Sequence, residues 1–267
     1  MPFTHRFCRY LLAFPLLAAL PLAQADTHES LSAAVESLWS SEQVSTSVLS
    51  SQFTQQDTKA GSHYRTEVKN SPAYLETAEE AAWVVIGRKR FNAVATPWGD
   101  FPRLDMRSAR LLEFKLPKKH YQVLAGPGAG LFGVGDWQRY GFLHVVDVSA
   151  APLYYPLYAD AYLGEHVLGR LPDSPVLNYA RLVPASRSRN GEIDAYEITL
   201  YALERKGLEP VLRNGLPLSY ALKREGDAWG IDRVERTPVT TTRDEEHRAF
   251  TTPLRPPLFS RKEDRRP

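Results

Sequence analysis

The chain is expected to be mainly β, an antiparallel meander of hairpins closing as a sandwich or barrel, or as an irregular propeller-like array. It carries a short N-terminal helix and a disordered C-terminal tail. Three observations predict this. From Leu111 onward, short apolar runs alternate with charged or Pro/Gly turns, the pattern of antiparallel strands. The spacing between these units is irregular, which argues against a clean repeat, and at roughly 40 to 50 residues per blade a propeller would have about five blades at most. The last 31 residues are proline-rich and charged, with too little apolar surface to offset the entropy of ordering them.

Residues 1–25 have the form of an export signal. His5, Arg6 and Arg9 precede an apolar run from Leu11 to Ala23, and Ala23-Gln-Ala25 is a small-x-small cleavage site. The run is short for a membrane span, and Cys8 precedes it, away from any lipid-attachment position. Cleavage before Asp26 removes the single cysteine and leaves 242 of the 267 residues. It also leaves 31 basic against 31 acidic residues, because Arg6 and Arg9 leave with the signal. A neutral chain of mixed signs has no electrostatic footprint for nucleic acid or an anionic membrane. Without cysteine it has no disulfide and no thiolate nucleophile or metal ligand, so the fold depends on its core. The expected location is periplasmic or secreted, with no stable membrane span after cleavage.

Residues 26–236 are expected to form one domain. Thr27–Gln43 has a helical pattern, with Thr27 or Ser30 as cap and Leu31, Val35, Leu38 and Trp39 on one face. That face is expected to lie on the main domain, with a partner-binding role as the alternative. Ser40–Ser62 is rich in Ser, Thr and Gln and takes no firm assignment. Thr77-Ala-Glu-Glu80 has capping-box spacing, which suggests a helical turn. Trp83–Ile86 and Phe91–Ala95 have strand composition across a polar turn.

Four hairpins follow: Leu111–Leu116 with Tyr121–Leu124, Phe142–Val148 with Leu153–Tyr155, Ile198–Leu203 with Leu208–Leu212, and Leu218–Leu222 with Trp229–Val234. Val176–Val183 and Glu192–Ile198 pair across a loop that ends in Asn190-Gly191, a step suited to positive backbone dihedrals. Thr237–Pro267 is the tail. As a functional segment it would dock on an envelope partner through Leu254, Leu258 and Phe259, with its prolines holding it extended.

The candidate sites cluster between Gly126 and Val183. Gly128-Ala-Gly-Leu-Phe-Gly133 matches the dinucleotide fingerprint, but only about ten residues separate it from the next strand, too few for the helix that must receive a pyrophosphate. No cofactor is expected. His144 and Asp147 are three apart on a strand, so they point to opposite faces and do not share a ligand. Asp160, Glu165 and His166 are the best acid–base or metal set. HExxH, Gly-x-Ser-x-Gly and Ser-x-x-Lys are absent.

Trp137, Tyr140, Tyr154, Tyr155, Tyr158, Tyr162 and Tyr179 are dense for so short a span. Rings with a polar tip suit glycan, peptide and protein surfaces, although tyrosine also favours strands. Tyr154 and Tyr155 must point to opposite faces, so on a one-sided sheet at most one of them is core. The function expected is non-catalytic: an exported cell-envelope protein that binds or scaffolds another envelope component, protein or glycan. The alternative is an envelope hydrolase acting on glycan or peptide through Asp160, Glu165 and His166.

Overall fold

The computed structural model describes residues 20–40, 44–58, 61–68, 71–77, 82–92, 104–128, 140–149, 152–160, 163–189 and 191–234. Helix α1 (Leu20–Glu36) comes first, then β1 (Ser45–Ser50). A meander follows: β2 (Thr54–Thr58), β3 (Gly61–Val68), β4 (Ser71–Thr77), β5 (Ala82–Ile86) and β6 (Lys89–Asn92). Next are β7 (Arg110–Leu116), β8 (Lys119–Pro127), β9 (Tyr140–Asp147) and β10 (Leu153–Asp160). A 3-10 turn at Gly164–Val167 leads to β11 (Leu168–Gly169), β12 (Asn178–Arg187) and β13 (Ile193–Glu204). The last strands are β14 (Gly207–Pro210), β15 (Leu212–Arg213), β16 (Leu216–Pro217), β17 (Ser219–Glu225) and β18 (Ala228–Val234).

These strands make three main antiparallel sheets. The central one runs β1-β7-β8-β9-β10. The N-terminal one runs β2-β3-β4-β5-β6, and the C-terminal one β11-β12-β13-β17-β18 with β14 also on β13. All five hairpins expected from Leu111 onward are present. Thr77, expected to open a helical turn, is the last residue of β4 and pairs with Ala82. Capping-box spacing is a local signal, and cross-strand pairing overrides it. Among the described residues no helix is long and apolar enough to cross a membrane. The tail from Thr237 lies outside the described residues, as do residues 1–19.

The central sheet is covered on both faces. One face sends Leu112, Phe114, Tyr121, Val123, Leu143, Val145 and Leu157 into a core shared with Ile198, Leu200 and Leu222 of the C-terminal sheet. The other sends Leu111, Leu124, Phe142 and Val146 against Ala73, Val84 and Ile86 of the N-terminal sheet. Side-chain alternation along each strand divides the two sets. Every residue of β9 from Gly141 to Asp147 is buried as a result. Each fully buried Leu or Val contributes about 1.5–3 kcal/mol relative to exposure. The expected one-sided sheet is therefore replaced by a two-sided one.

Helix α1 differs in its bounds from the expected Thr27–Gln43. It spans Leu20–Glu36 and then tightens, with Leu38 N–H donating to Val35 O and Trp39 N–H to Glu36 O. The chain turns there so that Trp39 reaches Gly169 of β11, and Ser40 N–H donates to Arg170 O, just after that strand, at 2.8 Å. The predicted apolar stripe is correct: Leu31 and Val35 are buried in the first core, with Leu38 and Trp39 against it. That stripe is thus used internally and is not free for a partner. Ser30 Oγ accepts a bond from Trp229 N–H at 3.0 Å, so the helix also covers the outer edge of β18.

Candidate functional site

The sequence candidates separate into three environments. The first is the central sheet. Tyr155 is 4% exposed, lies in the core, and donates its hydroxyl to Glu204 O at 2.9 Å. Burial pushes its phenol up to about 12, with Asp147 and Glu204 adding to the effect. Tyr154 points to the other face, where it stacks on Phe91 and on His144. His144 Nδ1 lies 2.8 Å from the Tyr154 hydroxyl. His144 is 1% exposed, and burial drops its pKa to about 4. Its Nε2 has no hydrogen-bond partner. Asp147 points the opposite way, as the strand spacing requires, and accepts Lys119 Nζ at 2.6 Å. Burial works to raise the Asp147 carboxyl, but Lys119 and Ser149 hold it below its ordinary value. Both rings of the Tyr154–Tyr155 pair are therefore committed to packing, because the sheet is two-sided.

The second environment is a cavity of about 380 Å³ under α1. Glu165 and His166 lie on the 3-10 turn beside it, but they turn to different partners. Glu165 meets Arg110 at 2.7 Å. His166 Nδ1 lies 2.5 Å from Glu36 Oε1, and its carbonyl accepts Trp39 Nε1 at 2.9 Å. Asp160 ends β10, and its side chain lies outside the described residues. Among the described residues no three His, Cys, Asp or Glu side chains group as metal ligands. Glu36, the last residue of the helix, and Trp39, in the turn after it, complete this cavity and were not foreseen, because no local pattern links them to a turn some 130 residues away. The indole of Trp39 lies directly on Gly169, where any Cβ would overlap it.

The third environment is a cleft of about 360 Å³ where the edge of β10 meets the solvent face of the C-terminal sheet. The sheet register builds it. Tyr179 pairs with Tyr201, and Tyr201 with Pro210, so three residues from β12, β13 and β14 form one row on one face. Arg181, one step along that face, pairs with Thr199, and its Nη1 donates to Tyr201 Oη at 3.4 Å. β13 explains why this face is open. Tyr196, Ile198 and Leu200 point inward and are buried, while Glu197, Thr199 and Tyr201 alternate outward.

The opposite wall of the cleft is Pro156, Leu157 and the backbone of Tyr158, whose ring packs on the other face of β10 with Tyr154. Tyr179 Oη donates to Tyr158 O at 2.6 Å, which ties the two sheets together. Burial raises the Tyr179 phenol well above its ordinary value, so this donor keeps its proton. The bond also shows that the Tyr158 carbonyl faces outward from β10. Pro156, two residues earlier, has the same sense, and there the edge lacks an N–H to offer.

Of the expected aromatic set, the Tyr179 ring reaches this cleft and Tyr158 borders it only through its carbonyl. Trp137 and Tyr162 lie outside the described residues, as does the Tyr140 side chain. Tyr201 and Arg181 complete the cleft and were missed; the apolar run Ile198–Leu203 drew notice only as a strand. The glycine-rich fingerprint falls mostly outside the described residues. Its flanks are decisive, because β8 and β9 pair antiparallel as direct neighbours, whereas the dinucleotide unit needs a parallel crossover. Comparison of the chain with protein-family models, with curated proteins and with solved structures gives no match, so the cleft and the cavity are the grounds for any function.

Proposed function

We propose that this chain is an exported, non-catalytic protein of the cell envelope that binds another envelope component through the cleft between β10 and the C-terminal sheet. The carrying observation is the row Tyr179–Tyr201–Pro210, in which Tyr179 forms the buried floor and Tyr201 and Pro210 line the cleft beside Arg181. Rings of this kind give large contact area at small entropic cost, and a nearby guanidinium adds direction. The Ala23-Gln-Ala25 motif supports export, and intact-mass measurement of exported protein should find a mature chain that begins at Asp26. The test of binding is recovery of envelope components on immobilised protein. Tyr201→Ala and Leu208→Ser should each reduce recovery of the same component at least tenfold while the melting transition stays cooperative. Leu208 is 39% exposed, so its replacement leaves the core intact. Full recovery with both variants would refute the cleft as the binding surface.

One observation favours a second reading, an envelope hydrolase acting on glycan or peptide. The Glu36–His166 pair opens on the 380 Å³ cavity, and a carboxylate that orients an imidazole is a common acid–base arrangement. Glu165, held by Arg110, is less available to share in it. Hydrolysis of envelope glycan or peptide that is lost in His166→Ala would establish this reading over the first.

A further inference from the structure

The cleft has a matching segment in the same chain. Val234 pairs with Ser219, Ser219 with Thr199, and Thr199 with Arg181. Cross-strand partners share a face, so the chain leaves the sheet on the row and face that hold Arg181. Three interstrand spacings separate them, about 14 Å. Beyond Val234 lie 33 residues, and among them is Pro253-Leu-Arg-Pro256-Pro257-Leu258-Phe259.

Prolines three apart favour the polyproline II helix, because each fixes φ near −65° and the helix repeats every three residues. Shallow grooves walled by aromatic rings take such helices, with rings packed against the prolines. Tyr201, over a floor of Tyr179 and beside Pro156, Leu208 and Pro210, forms a groove of this kind. The edge chemistry agrees. A β-strand added at β10 would need a donor where Pro156 has none, whereas a polyproline II helix needs no ladder of backbone bonds.

Reach is ample. The 18 residues from 235 to 252 span up to about 56 Å at ~3.1 Å each. A tether of this length keeps the segment at an effective concentration on the order of 1 mM, enough for a weak contact to be mostly closed.

We infer that Pro253–Phe259 docks as a polyproline II helix in the Tyr201–Pro210 cleft of its own molecule and competes there with the external partner. This rests on the cleft being the binding surface proposed above. The competition sets a threshold, since a partner must outbid a tethered ligand.

The test uses the full chain with Cys8→Ser and Ser260→Cys, spin-labelled at the new thiol. Amide signals of Arg181, Thr199 and Tyr201 should lose at least half their intensity, while those of Ala73 and Val84 in the N-terminal sheet keep theirs. Pro253→Ala, Pro256→Ala and Pro257→Ala together should restore the cleft signals. A synthetic peptide of residues 251–262 should then shift those signals in the triple variant, at a concentration at least tenfold lower than in the wild type. Unchanged cleft signals, a loss that survives the triple substitution, or equal peptide binding by both chains would each overturn self-docking. The recovery assay with Leu208→Ser judges the cleft independently. If that variant loses the envelope component while the label never nears the cleft, self-docking alone falls.

Discussion

His144 should make this fold sensitive to mild acid. It sits in the middle of β9, 1% exposed, between the central and N-terminal sheets. Burial drops its pKa from 6.5 to about 4, so the folded chain keeps the ring neutral over a range where the unfolded chain takes up a proton. A lowered pKa on a base means stability that is complete above about pH 6.5 and is lost as pH falls toward 4. Two and a half units at about 1.4 kcal/mol each give a loss of roughly 3 kcal/mol across that window. The buried carboxylates Glu113 and Asp147, whose pKa values are lowered, shed their contributions at more acidic pH, from about 4.5 down.

The assay is the urea midpoint measured from pH 7.5 to 4.5. The control is His144→Phe with Tyr154→Phe, which removes all three polar side-chain atoms of the pair and preserves ring stacking. Replacing both partners of a buried bond by apolar groups of similar shape is close to neutral, so this variant should hold its midpoint as the wild type falls. A wild-type midpoint that is flat between pH 6.5 and 4.5, or a double variant that falls just as steeply, would refute the reasoning.

Other expectations follow from the same packing. Tyr155→Ala should cost about 3–5 kcal/mol in chemical denaturation, as a buried aromatic, whereas Tyr155→Phe, which loses only the bond to Glu204 O, should cost about 1 kcal/mol. Gly169→Ala should displace the Trp39 indole, lowering the melting temperature and shifting tryptophan emission to the red. Lys119→Met leaves the Asp147 carboxylate, 2% exposed, without its cation. It should cost about 1–3 kcal/mol at pH 7, less than a fully buried pair because Lys119 itself is one-third exposed.

The hairpins from Leu111 onward were legible because their apolar runs and turns are local signals. Strands β2 to β4 were not, since Thr54-Gln-Gln-Asp-Thr58 and its neighbours are polar and acquire strand character only by pairing. The two-sided central sheet did leave a trace. Phe142-Leu-His-Val-Val-Asp-Val148 is almost continuously apolar, the mark of a strand buried on both faces, although its flanking turns are those of an ordinary hairpin arm. The site was half legible. Tyr179 stands out in the sequence by the density of tyrosines around it, while Tyr201 joins it only through the β12–β13 register. Tyr154 and Tyr155, equally conspicuous in the sequence, are interior for the reason just given.

The position of β1 has a consequence for how the chain can be cut and rejoined. Ser50 at its end pairs with Leu111 at the start of β7, so the chain departs and returns at points about 5 Å apart. Everything from residue 51 to 109, the N-terminal sheet included, is a detour inserted between two neighbouring strands. A short linker from Ser50 to Arg110 would close the gap without rerouting any other strand. The shortened chain would then bear Leu111, Leu124, Phe142 and Val146 bare on one side, and would need four polar replacements there to stay in solution. The detour also delays assembly. As the chain emerges from its N-terminus, β1 must wait for some sixty further residues before its neighbour exists.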